Sequence, residues 1–167
     1  MRGQLQAYTP TDPGQQQLRT DFLARLDAGA VRREHQPSHL TASAVVLDDS
    51  RRHTLLVLHA KVGLWLQPGG HLEVGDATLA DAALREAVEE TGVLDLQQVS
   101  AAPFRLDRHA APCGAQHHLD VCFLLLARDG AAPTASVESL DVRWFPVDAL
   151  PDQRIDLRPH VSAALLA

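Results

Sequence analysis

The chain has 167 residues, of which 46% are hydrophobic and 22% are charged, which argues against extensive disorder and predicts one folded domain. A net charge of −6 argues against general nucleic-acid binding through a basic surface, but not against a phosphorylated small molecule that binds together with cations. There is no apolar stretch of membrane-spanning length and no export-type apolar segment at the N-terminus. We therefore expect a cytoplasmic protein with no membrane partner and two free thiols.

The N-terminal part of the chain is predicted to be helical. Residues 14–28 carry leucine and phenylalanine at helical spacing and are followed by Gly29, which favours a helix with a glycine C-cap. We assign residues 1–35 to an N-terminal helical extension and residues 36–167 to the main domain. The sequence leaves three roles open for the extension: covering the sheet, shaping the substrate pocket or forming a homodimer interface.

The rest of the chain mixes predicted strands, loops and helices. The polar residues 32–39 are typical of a linker, and two apolar runs around Asp48–Arg52 predict a β-hairpin. A short strand containing Trp65, which we expect to pack in the core, precedes a glycine-rich turn and a helix at residues 78–91. The last predicted elements are three strands and a helix, within QVSAAPFRLDR, HLDVCFLLLAR, LDVRWFPV and RPHVSAALLA. This irregular order indicates an α+β or three-layer domain, not a doubly wound parallel sheet.

The predicted helix at residues 78–91 concentrates negative charge. Glu86 and Glu90 are four residues apart and are therefore neighbours on its surface. Glu89 lies three residues after Glu86 and four after Arg85. A solvated face with one Arg–Glu pair is the simplest explanation, but like charges at these spacings repel each other. Carboxylates beside the backbone carbonyls of a glycine-rich turn suit a hard divalent cation such as Mg²⁺, which would remove the repulsion.

Residues 69–93, GGHLEVGDATLADAALREAVEETGV, resemble the Nudix box, the signature loop and helix of the Nudix hydrolases. The matching positions are Gly70, Arg85, Glu86, Ala87, Glu89, Glu90, Gly92 and Val93. The interval from Gly70 to Arg85 is one residue longer than in the family, and we interpret Asp76 as a shorter substitute for the family's first glutamate. The resemblance extends more weakly over residues 38–155. It implies an α+β Nudix-type fold, an α/β/α sandwich with a mixed β-sheet.

The resemblance also implies the residues of a metal centre. Glu86 and Glu90 match the two main ligands of Mg²⁺ or Mn²⁺, and the carbonyl of Gly69 matches a backbone ligand. Glu89 matches a residue that ligates metal or supports the site. Arg85 matches an arginine that orients Glu89 through a charge-assisted pair.

A further glutamate joins the site in related enzymes, six residues before a tryptophan of a later strand. Counting back six residues from Trp144 leads to Glu138. The alternative interpretation is that Glu138 is an ordinary loop glutamate. Water attack on phosphorus also needs a carboxylate that accepts the proton of the water. We expect Glu86 or Glu89 to be this base, with Glu138 as a weaker candidate.

Three functions from different classes remain open. The first is a metal-dependent pyrophosphohydrolase acting on a nucleoside diphosphate linked to another moiety, or on a nucleotide-like substrate. The second is a Nudix-fold isomerase of a prenyl diphosphate, which in the family depends on a cysteine and an extra glutamate in the site; Cys113 is a candidate for the cysteine. The third is a binding module without catalysis, although none of the box glutamates is missing. The sequence does not identify the substrate moiety.

Residues 113–122, CGAQHHLDVC, contain two cysteines and two histidines. Their spacing does not favour zinc, because the two histidines are adjacent and both outer gaps are three residues, unlike a paired C-x₂-C knuckle. We expect instead that His118 or Asp120 contacts the substrate, and Asp107 and His109 are weaker candidates for the same role.

Overall fold

The computed structural model describes residues 1–137 and 139–167. In chain order its elements are α1 (Arg2–Ala7), α2 (Pro13–Asp27), β1 (Ser38–Asp48), β2 (His53–His59), β3 (Leu64–Leu66), β4 (Gly69–His71), α3 (Leu79–Thr91), β5 (Leu96–Gln98), β6 (Arg105–Ala110), β7 (His117–Ala127), β8 (Ser139–Pro146) and α4 (Arg158–Leu166). No helix within the described ranges has both the length and the apolar character to cross a membrane.

The eight strands that the structure describes form one mixed sheet around a central parallel pair. β1 and β7 run parallel along their whole length, from Ser38 opposite His117 to Asp48 opposite Ala127. The other pairs are antiparallel: β2 with β1, β3 and β8, β4 with β1, and β5 and β6 with β7. The hairpin predicted between β1 and β2 is confirmed. Successive side chains of β1 point to opposite faces of the sheet.

Helices cover both faces of the sheet, so the predicted α/β/α sandwich is confirmed. On one face, apolar side chains of β1 such as Leu40 and Val46 pack with α1, α2 and α3. Phe22 of α2 is completely buried in this layer. On the other face, Val45 and Leu47 pack with α4. Full burial of a side chain the size of phenylalanine contributes about 1.5–3 kcal/mol, so both helix layers are tied to the sheet by their apolar contacts.

The structure differs from the sequence predictions in four places. α1 was not predicted, because six residues give too little periodicity to recognise. α2 spans Pro13–Asp27 with Ala28 as its C-cap, and Gly29 follows with a positive φ of 84°. The residues predicted as a glycine-rich turn include the short strand β4, Gly69–His71, which pairs with β1. In addition, QVSAAPFRLDR is not one strand: its first residue, Gln98, ends β5, and its last four residues begin β6, Arg105–Ala110.

Asp48 ends β1 and organises the turn into β2. Its carboxylate accepts hydrogen bonds from the backbone N–H groups of Arg52 at 2.8 Å and His53 at 3.0 Å, and from the Ser50 hydroxyl at 2.8 Å. Partial burial alone would raise the pKa of Asp48, but these hydrogen bonds, together with that of the His53 ring, lower the pKa to about 2. The ionised form of Asp48 is therefore the form that stabilises the turn.

Replacing Asp48 by alanine is expected to lower the free energy of unfolding by about 1–2 kcal/mol at neutral pH, because several backbone donors lose their acceptor. The folded-state pKa lies below the ordinary aspartate pKa of 3.8, so this stabilisation is present above about pH 4 and is lost as the pH falls towards 2. Urea denaturation at pH 7 and at about pH 3 checks the sign. Asp49→Ala, at an exposed neighbour, is the control, and an equal loss in both variants would contradict the assignment.

Candidate active site and a histidine–cysteine cluster

The charged helix α3 is held in place at both ends. The Thr78 hydroxyl is the N-cap and accepts a hydrogen bond from the N–H of Asp81 at 3.1 Å. At the other end Gly92 has a φ of 69° and donates its N–H to the carbonyl of Val88 at 2.9 Å. A residue with a Cβ would be strained at this left-handed C-cap. Because the apolar side of α3 packs on the sheet, the helix presents its charged residues next to β4.

One guanidinium group organises the carboxylates of α3 and of the preceding loop. Arg85 donates from Nε and Nη2 to the two carboxylate oxygens of Asp76, both at 3.0 Å. Its Nη1 contacts Glu86 at 3.0 Å and Glu89 at 3.1 Å, and its Nη2 also donates to the carbonyl of His71 at 3.0 Å. Arg85 therefore joins three carboxylates to the backbone of β4, and Asp76 is its bidentate partner.

The pair formed by Asp76 and Arg85 is well shielded from water, since the Asp76 side chain is only 5% exposed. Burial raises the pKa of Asp76, but hydrogen bonds from Arg85 and from the N–H of Glu73 outweigh this effect and lower it. The hydrogen bond to Asp76 raises the pKa of Arg85. Both groups are consequently charged at neutral pH, and each depends on the other for compensation.

Gly70 of β4 faces α3 and lets the helix approach closely, whereas Gly69 lies against Ser43 of β1. A Cβ on Gly70 would lie 2.5 Å from a carboxylate oxygen of Glu86, so the Glu86 carboxylate would have to move away from β4. The N–H of Gly69 donates to the carboxylate of Glu90 at 3.0 Å, and Glu90 is only 7% exposed. Glu86 and Glu90 are thus both in contact with, or directly beside, the backbone of β4.

This arrangement of donors fits a hard divalent cation. Carboxylate oxygens of Glu86 and Glu90 lie against the backbone of β4 at Gly70 and Gly69, and oxygen-only ligands are the preference of Mg²⁺. The assignment of Gly69, Glu86, Glu89 and Glu90 as ligands stays a prediction. Glu138 lies outside the residues that the structure describes.

The predicted substrate residues His118 and Asp120 are buried in the centre of the sheet. Asp120 is 4% exposed and accepts hydrogen bonds from the hydroxyls of Thr41, at 2.9 Å, and Ser43. His118 is 8% exposed, and its burial, reinforced by nearby histidines such as His109, lowers its pKa to about 3. Contact of His118 or Asp120 with a substrate stays a prediction.

The weaker candidates Asp107 and His109 form a hydrogen-bonded pair on β6, with 2.9 Å between the carboxylate and Nδ1. The hydrogen bond from His109 lowers the pKa of Asp107. We expected Trp65 to pack in the core, but the structure places it outside the buried core. It is half-buried and packs edge-on against Phe145 at 4.9 Å, with the guanidinium of Arg143 lying 5.5 Å from the centre of its ring.

Four residues with nitrogen or sulfur ligand atoms form a second polar centre, the histidine–cysteine cluster. Its members are His39 on β1, His71 on β4, His118 on β7 and Cys113 in the loop before β7. His39 and His71 were not recognised in the sequence, where the first lies in an apparent linker and the second in an apparent turn. No local signal predicts the cluster, since it depends on the pairing of β1 with β4 and β7.

The other cysteine of the predicted 113–122 group lies elsewhere. Cys122 is completely buried in the core beneath α4, and its sulfur lies 3.1 Å from the hydroxyl oxygen of Ser43. Burial raises the pKa of the Cys122 thiol above its usual range. Cys113, the candidate cysteine for an isomerase, contacts imidazoles of the cluster.

Comparisons with known proteins agree with the fold and the box. The NUDIX domain model matches residues 37–165. The human m7GpppN-mRNA hydrolase NUDT17 is 31% identical over 136 residues, which cover 74% of this chain and 39% of that protein. The putative mutator protein MutT4 of Mycobacterium tuberculosis is 34% identical over 91 residues, or 54% of this chain and 36% of that protein. The chain thus spans well under half the length of these two curated relatives.

Solved structures share the same architecture. A crystal structure of a NUDIX-family hydrolase from Clostridium perfringens aligns with a TM-score of 0.61 and 21% identity. The alignment covers 77% of this chain and 98% of that chain. With the family match over residues 37–165 and the charged helix α3 at its centre, the chain belongs to the NUDIX domain family.

Proposed function

We propose that the chain is a metal-dependent pyrophosphohydrolase. It would cleave a diphosphate linkage, in a nucleoside diphosphate linked to another moiety or in a nucleotide-like substrate, by attack of water on phosphorus. The observation that carries the proposal is the set of contacts at β4, where Arg85 and the N–H of Gly69 hold Glu86, Glu89 and Glu90. The family relationship and the names of the relatives, which include an mRNA-cap hydrolase, support it.

The proposed site divides its work among a few groups. Glu86, Glu90 and the carbonyl of Gly69 would hold Mg²⁺ (or Mn²⁺), which when bound neutralises diphosphate charge and lowers the pKa of water. Arg85 keeps the carboxylates in position, since its guanidinium is itself fixed by Asp76 and by the carbonyl of His71.

The proton of the attacking water would pass to Glu86 or Glu89. The two carboxylates share the Nη1 atom of Arg85, at 3.0 Å and 3.1 Å. They differ in their access to solvent, since the side chain of Glu89 is 58% exposed and that of Glu86 is 16% exposed. Glu89 is therefore the more accessible of the two for a proton that must leave the site.

A substrate panel tests the proposal. Release of phosphate and of nucleotide is measured with nucleoside diphosphates and triphosphates, nucleoside diphosphate sugars, dinucleoside polyphosphates, capped RNA and a prenyl diphosphate, each with Mg²⁺, with Mn²⁺ and with EDTA. We expect metal-dependent release from at least one nucleotide substrate. Isomerisation of the prenyl diphosphate without release would replace the proposal by the isomerase, and inactivity on every compound with either metal would contradict it.

A further inference from the structure

We propose that His39, His71, Cys113 and His118 bind one Zn²⁺ ion with tetrahedral coordination, at a site distinct from the carboxylates of α3. The four ligand atoms, three imidazole nitrogens and one sulfur, all lie within 4.8 Å of one another. His39 is completely buried and His118 is 8% exposed, while His71 and Cys113 are half-buried. Polar groups placed this deep must be paired or must bind a ligand, because burying them alone is costly.

Three of the six distances between the ligand atoms are close to those of a zinc site. With Zn–N bonds of about 2.05 Å and a Zn–S bond of about 2.3 Å, a tetrahedron places two nitrogens about 3.3 Å apart and a nitrogen and a sulfur about 3.6 Å apart. The Nε2 atoms of His39 and His71 are 3.1 Å apart. The sulfur of Cys113 lies 3.6 Å from Nε2 of His39 and 3.2 Å from Nε2 of His118.

The three imidazole rings surround a common point. The ring centroids of His39, His71 and His118 form an equilateral triangle with sides of 5.1 Å. A backbone contact also fixes the orientation of the His39 ring, since its Nδ1 lies 3.3 Å from the carbonyl oxygen of His35. A carbonyl can only accept, so Nδ1 carries the hydrogen and the lone pair of Nε2 faces the cluster, as in zinc-ligating histidines.

The alternative is a cluster joined by hydrogen bonds alone. In that case Nε2–H of His71 would donate to Nε2 of His39, and the thiol of Cys113 would donate to Nε2 of His118. However, the sulfur is near the nitrogens of both His39 and His118, although a thiol has only one hydrogen to share. Four ligands converging on one centre, all nitrogen or sulfur, are the preference of Zn²⁺ and not of Mg²⁺.

A zinc ion at this place would have a structural role. Four protein ligands leave no open position for water or substrate, which is typical of structural zinc sites. The ion would connect β1, β4 and β7 with the loop that contains Cys113, which follows His39 by 74 residues. Because such a site does not exist in an unfolded chain, the free energy of zinc binding stabilises the folded state.

Metal analysis and cobalt substitution test the site. The full chain is purified without chelators and its zinc content is measured, and the reduced, metal-free protein is then titrated with Co²⁺. We expect about one zinc per chain, visible bands of tetrahedral Co²⁺ and a near-ultraviolet thiolate-to-cobalt charge-transfer band. Cys113→Ser should remove the charge-transfer band and weaken zinc binding at least about 100-fold. Cys122→Ala and His117→Ala are matched controls that should keep both the charge-transfer band and the zinc affinity.

The thermal midpoint keeps the proposal testable if Cys113→Ser does not fold. Zn²⁺ added to the metal-free wild-type protein should raise the midpoint, or restore folding, at concentrations where Mg²⁺ has no effect. Absence of zinc, of a cobalt–thiolate band and of any zinc-dependent shift, with a reduced thiol, would show a hydrogen-bonded cluster and overturn the proposal. These spectra do not depend on hydrolysis, so failure of the zinc site and failure of the proposed activity are separate outcomes.

Discussion

Replacing Glu90 by glutamine is expected to lower the kcat of hydrolysis at least about 100-fold while the fold is kept. The change removes a negative charge from a side chain that is only 7% exposed and lies against β4. The N–H of Gly69, now 3.0 Å from a Glu90 oxygen, can still donate to the amide oxygen of glutamine. The loss should therefore appear in turnover and not in the unfolding transition.

The measurement is turnover on the best substrate of the panel at saturating substrate and Mg²⁺, alongside a thermal melt. Asp95→Asn makes the same chemical change at an exposed position beyond the end of α3, and it should leave turnover unchanged. A Glu90→Gln protein with wild-type kcat would mean that this carboxylate has no part in the reaction. The proposed role of Glu90 as a metal ligand would then be wrong.

Replacing Arg85 by alanine is expected to lower the free energy of unfolding by about 3 kcal/mol at neutral pH. The reason is Asp76, whose 5% exposed side chain would keep its charge while losing both hydrogen bonds from the guanidinium. The effect has a pH dependence of known sign. Arg85 holds the folded-state pKa of Asp76 below the ordinary aspartate pKa of 3.8, so the stability difference between variant and wild type is full above about pH 4 and shrinks as the pH falls.

Urea denaturation of the Arg85→Ala, Asp76→Ala and double variants measures the coupling. The double variant should lose less stability than the sum of the two single variants, because it no longer buries an unpaired charge. Arg158→Ala is a matched control, since Arg158 forms a similar pair with Asp156 in an exposed position, and its stability should equal that of wild type. Additive losses at Arg85 and Asp76 would contradict a dependent pair.

The parts of the site that the sequence predicts are those that depend on neighbours within one helix and its loop. Arg85 and Glu89 are one helical turn apart, so their contact follows from helix geometry once α3 is recognised. The N-cap at Thr78 is equally local. Asp76 could be proposed as the substitute glutamate from spacing alone, but its bidentate contact with Arg85 depends on how the loop folds back across the helix.

The histidine–cysteine cluster could not be predicted, because its members come together only in the finished sheet. His39 stands opposite His118 through the parallel register of β1 and β7, and no pattern in either strand specifies that register. His71 reaches the cluster through β4, a three-residue strand whose two glycines are more typical of a turn. Of residues 113–122 only Cys113 and His118 belong to the cluster, and its other two members lie more than forty residues earlier.

His71 takes part in both centres, and this affects how an inhibition experiment with a chelator is interpreted. Its imidazole belongs to the histidine–cysteine cluster, while its carbonyl accepts the hydrogen bond of Arg85 at 3.0 Å. With both proposed ions bound, EDTA would therefore lower turnover in two ways. It would remove the Mg²⁺ beside the carboxylates, and it would remove the Zn²⁺ whose ligand His71 also anchors Arg85 through its carbonyl. Inactivation by EDTA alone does not identify which ion was lost; restoring Zn²⁺ and Mg²⁺ one at a time, in both orders, does.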